Sequence, residues 1–105
     1  VYDAANARYA EDPVEAVRVL GNRICHVHLS DSDGTVPAHW PIGRGDVDFA
    51  GIAAALLEIG YTGWSFLETT WMEDPDGAIR SSIDALRALG WEPTPIRAAE
   101  GMGAA

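Results

Sequence analysis

The chain is poor in the features that mark several classes of protein. Cys25 is the one cysteine among 105 residues, so a disulfide framework is excluded and a reducing, cytoplasmic location is expected. Seven basic residues stand against 16 acidic ones, and the net charge of −9 argues against a nucleic-acid-binding surface. No apolar run approaches the roughly 20 residues of a membrane span, and no signal-peptide pattern opens the chain. We therefore expect neither a nucleic acid nor a membrane as a partner.

What the sequence does contain suits a packed domain. Hydrophobic residues make up 48% of the chain, and 105 residues are enough for one domain or part of one. The chain has no initiator Met and opens in the middle of a strand pattern, so we expect a piece of a longer protein.

Helix patterns alternate with short strand patterns. Each of three helices is opened by an aspartate that can cap it and is followed by a glycine. Apolar residues that recur with the helical period give each helix one buried face. We predict helices over 12–20, 48–59 and 75–89, strands ending at Asp3 and over Arg23–Leu29 and Trp64–Glu68, a loop over Ala4–Glu11 and a disordered tail over 91–105.

The order of these elements predicts the architecture. Joins from helix to strand are tight, whereas the loops from strand to helix are long and polar. That asymmetry is typical of parallel βα units whose functional residues lie at the C-terminal ends of the strands. Three units cannot close a (β/α)8 barrel, which takes about 250 residues. We therefore predict an α/β fold in which residues 1–90 form the C-terminal three βα units of a TIM barrel.

Each of the three strand patterns has a polar side chain at or near its C-terminal end. Asp3, His28 and Glu68 would meet at one edge of a parallel sheet, and one imidazole with two carboxylates suits Mn, Mg, Co or Zn. Asp3 has an alternative role as a helix cap, and His28 has one as a hydrogen-bonded core histidine. The three residues together favour a metal site. His26 lies on the same face about 7 Å deeper, at roughly 3.3 Å per residue, where it is placed to orient a ligand or substrate. Asp31 either orients His28 from behind or starts the next loop.

The loop over residues 32–47 carries further candidates. His39 and Arg44 are candidates for substrate contact, and Arg44 lies between two glycines, where its guanidinium and the backbone would both reach an anion. The alternative is that this stretch is simply a tight turn. Trp40 and, after the next strand, Trp71 would either wall a sugar pocket or cover the mouth of a barrel.

Five segments occur in order along residues 1–90, namely Asp3-Ala-Ala-Asn6, His26-Val-His-Leu-Ser-Asp31, Pro41-Ile-Gly-Arg-Gly-Asp-Val-Asp-Phe49, Gly60-Tyr-Thr-Gly63 and Phe66-Leu-Glu68. Together they resemble one family, the xylose-isomerase-like TIM barrels of the sugar phosphate isomerase and epimerase group. In this family two glutamates, one aspartate and one histidine at the strand ends hold a divalent metal. The resemblance implies that Asp3, His28 and Glu68 are three of these ligands and that Glu68 is also catalytic. It also implies that the fourth ligand, a glutamate that also serves as an acid/base, precedes Val1.

The resemblance implies a metal-dependent sugar or sugar phosphate isomerase or epimerase that moves a proton next to a carbonyl. The intact protein would be the enzyme, an oligomer being possible, and the 105-residue piece would be inactive alone. Alternatives are an endonuclease IV-like nuclease, a polyol dehydratase and a barrel that binds a sugar without turning it over. Many ketose epimerases have a histidine where Asn6 stands and an arginine where His39 stands. Endonuclease IV has an aspartate zinc ligand at the position of Pro37, which makes the nuclease the weaker interpretation.

Overall fold

The computed structural model describes residues 1–36, 38–70 and 73–92. Three parallel strands form one sheet in the order β1-β2-β3. The strands are β1 (Tyr2–Asp3), β2 (Val27–Leu29) and β3 (Ser65–Leu67), and the helices are α1 (Ala4–Ala10), α2 (Pro13–Leu20), α3 (Phe49–Glu58) and α4 (Pro75–Ala88). The parallel α/β architecture predicted from the order of the elements is confirmed.

An aspartate directly precedes each of the four helices. In each case the side chain of the residue before the helix accepts a hydrogen bond from a backbone N–H in the first turn, which satisfies a donor that the helix itself leaves unpaired. The three predicted helices therefore begin and end within two residues of their expected positions. The four capping residues are Asp3 for α1, Asp12 for α2, Asp48 for α3 and Asp74 for α4.

The predicted loop over Ala4–Glu11 is wrong, because Ala4–Ala10 forms α1. Asp3 accepts a hydrogen bond from the backbone of Asn6 at 2.9 Å, and four of the seven helical residues are alanine, the residue with the highest helix propensity. The helix was missed because its short, small side chains make no clear apolar stripe. Asp3 is thus a cap as well as a strand-end residue.

The second and third strands are shorter than the predicted Arg23–Leu29 and Trp64–Glu68. Gly21–Arg23 is a 3-10 turn, and the expectation that Cys25 lies inside a buried strand is wrong, because this residue is exposed. The hydroxyl of Tyr61 binds the backbone carbonyls of Cys25, at 3.4 Å, and Trp64. The Tyr61 side chain therefore holds together the segments that lead into β2 and β3. At these positions we had predicted that the two strands pair.

The helices cover one face of the sheet. Tyr2, Val27 and Leu29 point to that side and are at most 3% exposed. They form one core with residues of α2, α3 and α4, including Val17, Phe49, Ile52 and Leu86. The elements therefore pack as βα units do, with the helices against one face of the parallel strands.

The domain extends one residue beyond the last helix and its turn. The indole N–H of Trp91 donates a hydrogen bond to the carbonyl of Phe49 at 3.0 Å, so this first residue of the predicted tail is attached to the core. Residues 93–105 lie outside the described residues, and the disorder of the tail stays a prediction. Within the described part of the chain, no helix has the length and apolar character needed to cross a membrane.

Candidate metal centre

Three side chains converge at the C-terminal edge of the sheet. Asp3, His28 and Glu68 each offer one ligand atom, and these atoms all lie within 4.8 Å of one another. Nδ1 of His28 and Oε2 of Glu68 lie 3.3 Å apart. The structure therefore brings together the three residues that the sequence placed at the ends of separate strands.

The register of the strands causes this convergence. Asp3 is the direct neighbour of His28 across β1 and β2, and His28 is the neighbour of Phe66 across β2 and β3. Side chains alternate along a strand, so Glu68 returns to the face of Phe66. Its backbone N–H extends the pairing by donating to the carbonyl of Leu29 at 2.9 Å. All three candidate ligands therefore lie on the face away from the helices.

The donor set fits a divalent cation. Carboxylate oxygen and imidazole nitrogen bind such ions at about 2.1 Å, which puts neighbouring ligand atoms about 3 Å apart. The separations reach 4.8 Å, so the side chains would have to close by less than about 2 Å. Glu68 can supply that movement because its side chain is 47% exposed. One oxygen of Asp3 is occupied by the backbone N–H of Asn6, which leaves the other oxygen for a cation.

His39 lies next to this triad. Its Nδ1 is 3.8 Å from Oδ2 of Asp3 and 2.9 Å from the hydroxyl oxygen of Ser30. Its carbonyl oxygen accepts the backbone N–H of Thr70 at 3.0 Å, so the loop after β2 is tied to the loop after β3. The structure places this predicted substrate contact beside a predicted metal ligand.

Aromatic rings line the open face below the triad. His26, also predicted to contact substrate, is exposed, and its ring centre is 6.2 Å from that of Phe66. Phe66 also meets the His28 ring edge-on at 6.5 Å and is 43% exposed, close to the 40% of Trp64. His26 therefore lies on the same side as the triad and two residues before His28.

Asp31 holds the loop that follows β2. Its side chain is 2% exposed and accepts four hydrogen bonds from backbone N–H groups. Oδ1 binds Ser32 at 2.9 Å and Val47 at 3.1 Å, and Oδ2 binds Gly43 at 2.8 Å and Gly45 at 3.0 Å. Of the two roles considered for Asp31, the structure has the start of the loop, because these bonds go to the loop backbone and none goes to His28.

Two glycines make this arrangement possible. Gly43 has a φ of 103°, a conformation that side chains other than glycine rarely adopt. A Cβ on Gly45 would lie 2.3 Å from the carbonyl oxygen of Ser32, so no larger residue fits. In the sequence, the role of Asp31 was indicated by its spacing from Pro41-Ile-Gly-Arg-Gly45. That spacing could not be interpreted from the sequence, because the partners of Asp31 are backbone atoms. Sequence reasoning therefore missed Asp31 as the residue that organises the loop.

Arg44 and Trp40, two further candidates, lie on the same loop. Arg44 is in a tight turn, in which its N–H donates to the carbonyl of Pro41 at 3.2 Å, and its contact with an anion stays a prediction. Trp40 pairs with Asp31 through two backbone hydrogen bonds of 2.8 and 3.0 Å. Trp71, the second predicted pocket wall, and Pro37 lie outside the described residues.

An ion pair fixes the far end of the loop. The guanidinium of Arg8, on α1, binds both carboxylate oxygens of Asp46, at 2.8 and 3.1 Å. These hydrogen bonds hold the pKa of Asp46 below its usual value. The loop that carries His39 and Arg44 is therefore held at its start by Asp31 and near its end by Arg8.

The sequence and the fold match one family of proteins. The sequence profile of the xylose isomerase-like TIM barrels matches residues 1–89, and the chain belongs to that family. The family predicted from the sequence is thereby confirmed. The predicted fold, parallel βα units of a TIM barrel, is confirmed as well.

Within the family, the chain is similar to sugar epimerases. It is 32% identical over 72 residues to fructoselysine 3-epimerase of Shigella flexneri, covering 67% of this chain and 26% of the relative. It is 33% identical over 75 residues to D-psicose 3-epimerase of Enterocloster bolteae, covering 71% and 23%. The crystal structure of a D-tagatose 3-epimerase-like protein superimposes with a TM-score of 0.64 at 29% identity, covering 82% of this chain and 34% of the other. The chain thus spans about a quarter of the length of the curated relatives it matches.

Proposed function

We propose that the intact protein is a divalent-metal-dependent sugar isomerase or epimerase that transfers a proton next to a carbonyl. The observation that carries the proposal is the convergence of Asp3, His28 and Glu68 within 4.8 Å. The names of the relatives support it, because fructoselysine, D-psicose and D-tagatose are all sugars. A cation bound there would polarise the carbonyl and hydroxyl oxygens of the sugar.

Each member of the triad has a separate role in this proposal. Asp3 and His28 are less exposed than Glu68, and they hold the cation. Glu68 is the third ligand and also one of the two acid–base groups, because an exposed carboxylate on the open face can reach a substrate carbon as well as the cation. Proton transfer by a positioned carboxylate contributes about 10² to 10⁴ in rate.

The substrate is a sugar or a sugar phosphate. His39 lies beside Asp3 and His26 lies beside Phe66, and in this proposal both donate hydrogen bonds to sugar hydroxyls. Arg44 would meet an anionic group if the substrate carries one. The nuclease alternative is not carried further, because the net charge is −9 and Pro37 stands where that enzyme has a zinc ligand.

The test follows a substrate proton into solvent. The full-length protein, loaded with Mn²⁺ or Mg²⁺, is incubated with D-psicose and related ketoses in D₂O, and deuterium incorporation next to the carbonyl is measured by NMR. Glu68→Gln keeps the shape of the side chain but removes the base, so exchange should fall by about 10² or more. The control is Glu11→Gln, which changes an exposed glutamate outside the triad and should leave exchange unchanged.

The metal ligands give a second readout. His28→Ala should lower metal content first, and excess metal should restore part of the exchange, whereas Glu68→Gln should not be rescued by metal. Exchange by Glu68→Gln at the rate of the parent would show that Glu68 is at most a ligand. A parent that binds the sugars without exchanging any proton would instead be a sugar-binding barrel.

A further inference from the structure

Ser30 is a buried polar residue that the proposed chemistry does not use. It follows β2 directly, two residues after His28, and it is completely buried. A buried hydroxyl that finds no partner costs free energy, so the contact it makes is informative. Its partner is Nδ1 of His39, at 2.9 Å.

The direction of this hydrogen bond decides which ring nitrogen of His39 carries the proton. The Ser30 hydroxyl and Nδ1 of His39 lie 2.9 Å apart, and which of them donates depends on the tautomer of the ring. In a neutral imidazole one nitrogen accepts and the other carries the proton. If Ser30 donates its proton to Nδ1, the ring proton is on Nε2. In an imidazolium both nitrogens carry protons, so Nε2 is a donor in either state.

Asp3 is the more distant neighbour of Nδ1. Its Oδ2 is 3.8 Å from Nδ1 of His39, beyond the usual length of a hydrogen bond. The other oxygen of Asp3 accepts the backbone N–H of Asn6. Ser30 is therefore the nearer and shorter partner of the ring, and the imidazole lies next to the triad without belonging to its set of ligand atoms.

The backbone around His39 is fixed as well. Its carbonyl accepts the N–H of Thr70, and Trp40, the next residue, is bonded to Asp31 in both directions. The ring, with 27% of its side chain exposed, is thus supported from the ends of both β2 and β3. A group held this firmly presents one atom to a ligand without losing conformational freedom on binding.

We propose that Ser30 is a positioning residue, which fixes the imidazole of His39 so that Nε2–H is presented to a hydroxyl or carbonyl oxygen of the sugar beside Asp3. This rests on the proposed function, since it assigns the donor atom of His39 in the same site. Ser30 itself touches no substrate and acts through the ring that it holds.

The first measurement needs no variant. In the full-length protein labelled with ¹⁵N-histidine, long-range ¹H–¹⁵N spectra report which ring nitrogens carry protons, and the His39 signals are assigned by their loss in His39→Gln. The expected result is a protonated Nε2, whose resonance shifts when the protein is titrated with D-psicose. A neutral ring protonated on Nδ1, or an Nε2 resonance that does not move at saturating sugar, would overturn the proposal.

Variants then separate positioning from packing. Ser30→Ala should let His39 populate both neutral ring forms and should lower kcat/KM for the sugar about 5-fold or more, mainly through KM, with metal affinity unchanged. The matched control is Ser82→Ala, because Ser82 is equally buried but binds the backbone N–H of Ile42. It should leave the His39 spectrum unchanged. A Ser30→Ala spectrum and KM identical to those of the parent would overturn the role of Ser30.

The two proposals fail in different ways. If the parent exchanges no substrate proton, the proposed enzyme is wrong, and kcat/KM is replaced by the sugar dissociation constant, which Ser30→Ala should raise about 5-fold. If exchange occurs but the His39 ring has the other proton arrangement, only the inference about Ser30 is wrong.

Discussion

The two faces of the sheet divide the work of the molecule. On the covered face, Val27 and Leu29 are at most 3% exposed and pack against the helices. On the open face, His28 and Glu68 meet within 3.3 Å, and Phe66 remains 43% exposed. Residues that are neighbours in sequence thus face the core and the proposed metal site in turn, because successive side chains of a strand point to opposite sides.

The alternation stops where the strand stops. Ser30 and Asp31 follow β2 directly, and both are buried although they are polar. Each is satisfied by hydrogen bonds, Ser30 to the His39 ring and Asp31 to four backbone N–H groups of the loop. The end of β2 is therefore the place where the covered face and the open face of the sheet are connected.

The largest expected effect is on the covered face. Val27→Asp places an unpaired carboxylate in the core and should destabilise the full-length protein by about 4 kcal/mol or more, or prevent folding. The measurement is the free energy of unfolding in urea. Cys25→Asp is the matched control, since Cys25 precedes β2 by two residues but is exposed. It should cost less than about 1 kcal/mol. Equal losses in the two variants would mean that the covered face does not provide the stability.

Much of this division could be predicted from the sequence. The aspartates before α2, α3 and α4 predicted where these helices start, and the period of two in His26-Val-His28 predicted the separation of the two faces. The convergence of Asp3, His28 and Glu68 followed from parallel order alone, because equivalent strand ends meet at one edge. These features depend on local patterns, which a single sequence carries directly.

Other features could not be predicted, for physical reasons. The extent of β2 depends on which backbone groups find partners, and the Tyr61 hydroxyl replaces pairing at Cys25. The role of Asp31 depends on N–H groups as far away as Val47, which every residue except proline possesses and which therefore leave no mark in the sequence. The contact of Ser30 with His39 likewise depends on how the loop folds back.

The next prediction concerns the connection between the faces. Asp31→Asn replaces one accepting oxygen by an amide that donates, so it faces backbone N–H groups that it cannot satisfy. We expect a loss of about 2 to 4 kcal/mol in the free energy of unfolding, measured in urea on the full-length protein. Asp33→Asn is the control, because the Asp33 carboxylate accepts hydrogen bonds from its near neighbour Thr35, and the change should cost about 1 kcal/mol or less. Similar losses would show that the Asp31 carboxylate does not hold the loop.

The smallest expected effect is a pH dependence of the free energy of unfolding, which comes from a residue on the covered face. The buried hydroxyl of Tyr2 donates a hydrogen bond to the carbonyl of Pro13, and burial, aided by the nearby carboxylate of Asp3, raises its pKa above the usual value of 10. The unfolded chain therefore loses this proton first. The contribution of Tyr2 to stability is complete below about pH 10 and is lost as the pH rises towards the higher pKa of the folded state.

Tyr2→Phe isolates this contribution. At pH 8 the variant should lose about 1 kcal/mol, the usual value of one hydrogen bond. Between pH 9 and 11 its free energy of unfolding should fall less steeply than that of the parent, because no buried phenol remains to ionise. The measurement is a set of urea unfolding curves at these pH values, with Tyr9→Phe as the control, since Tyr9 is 47% exposed and its removal should leave the slope unchanged. If Tyr2→Phe and the parent have parallel pH profiles, the proton of Tyr2 is not held by the covered face, and the loss at pH 8 measures packing alone.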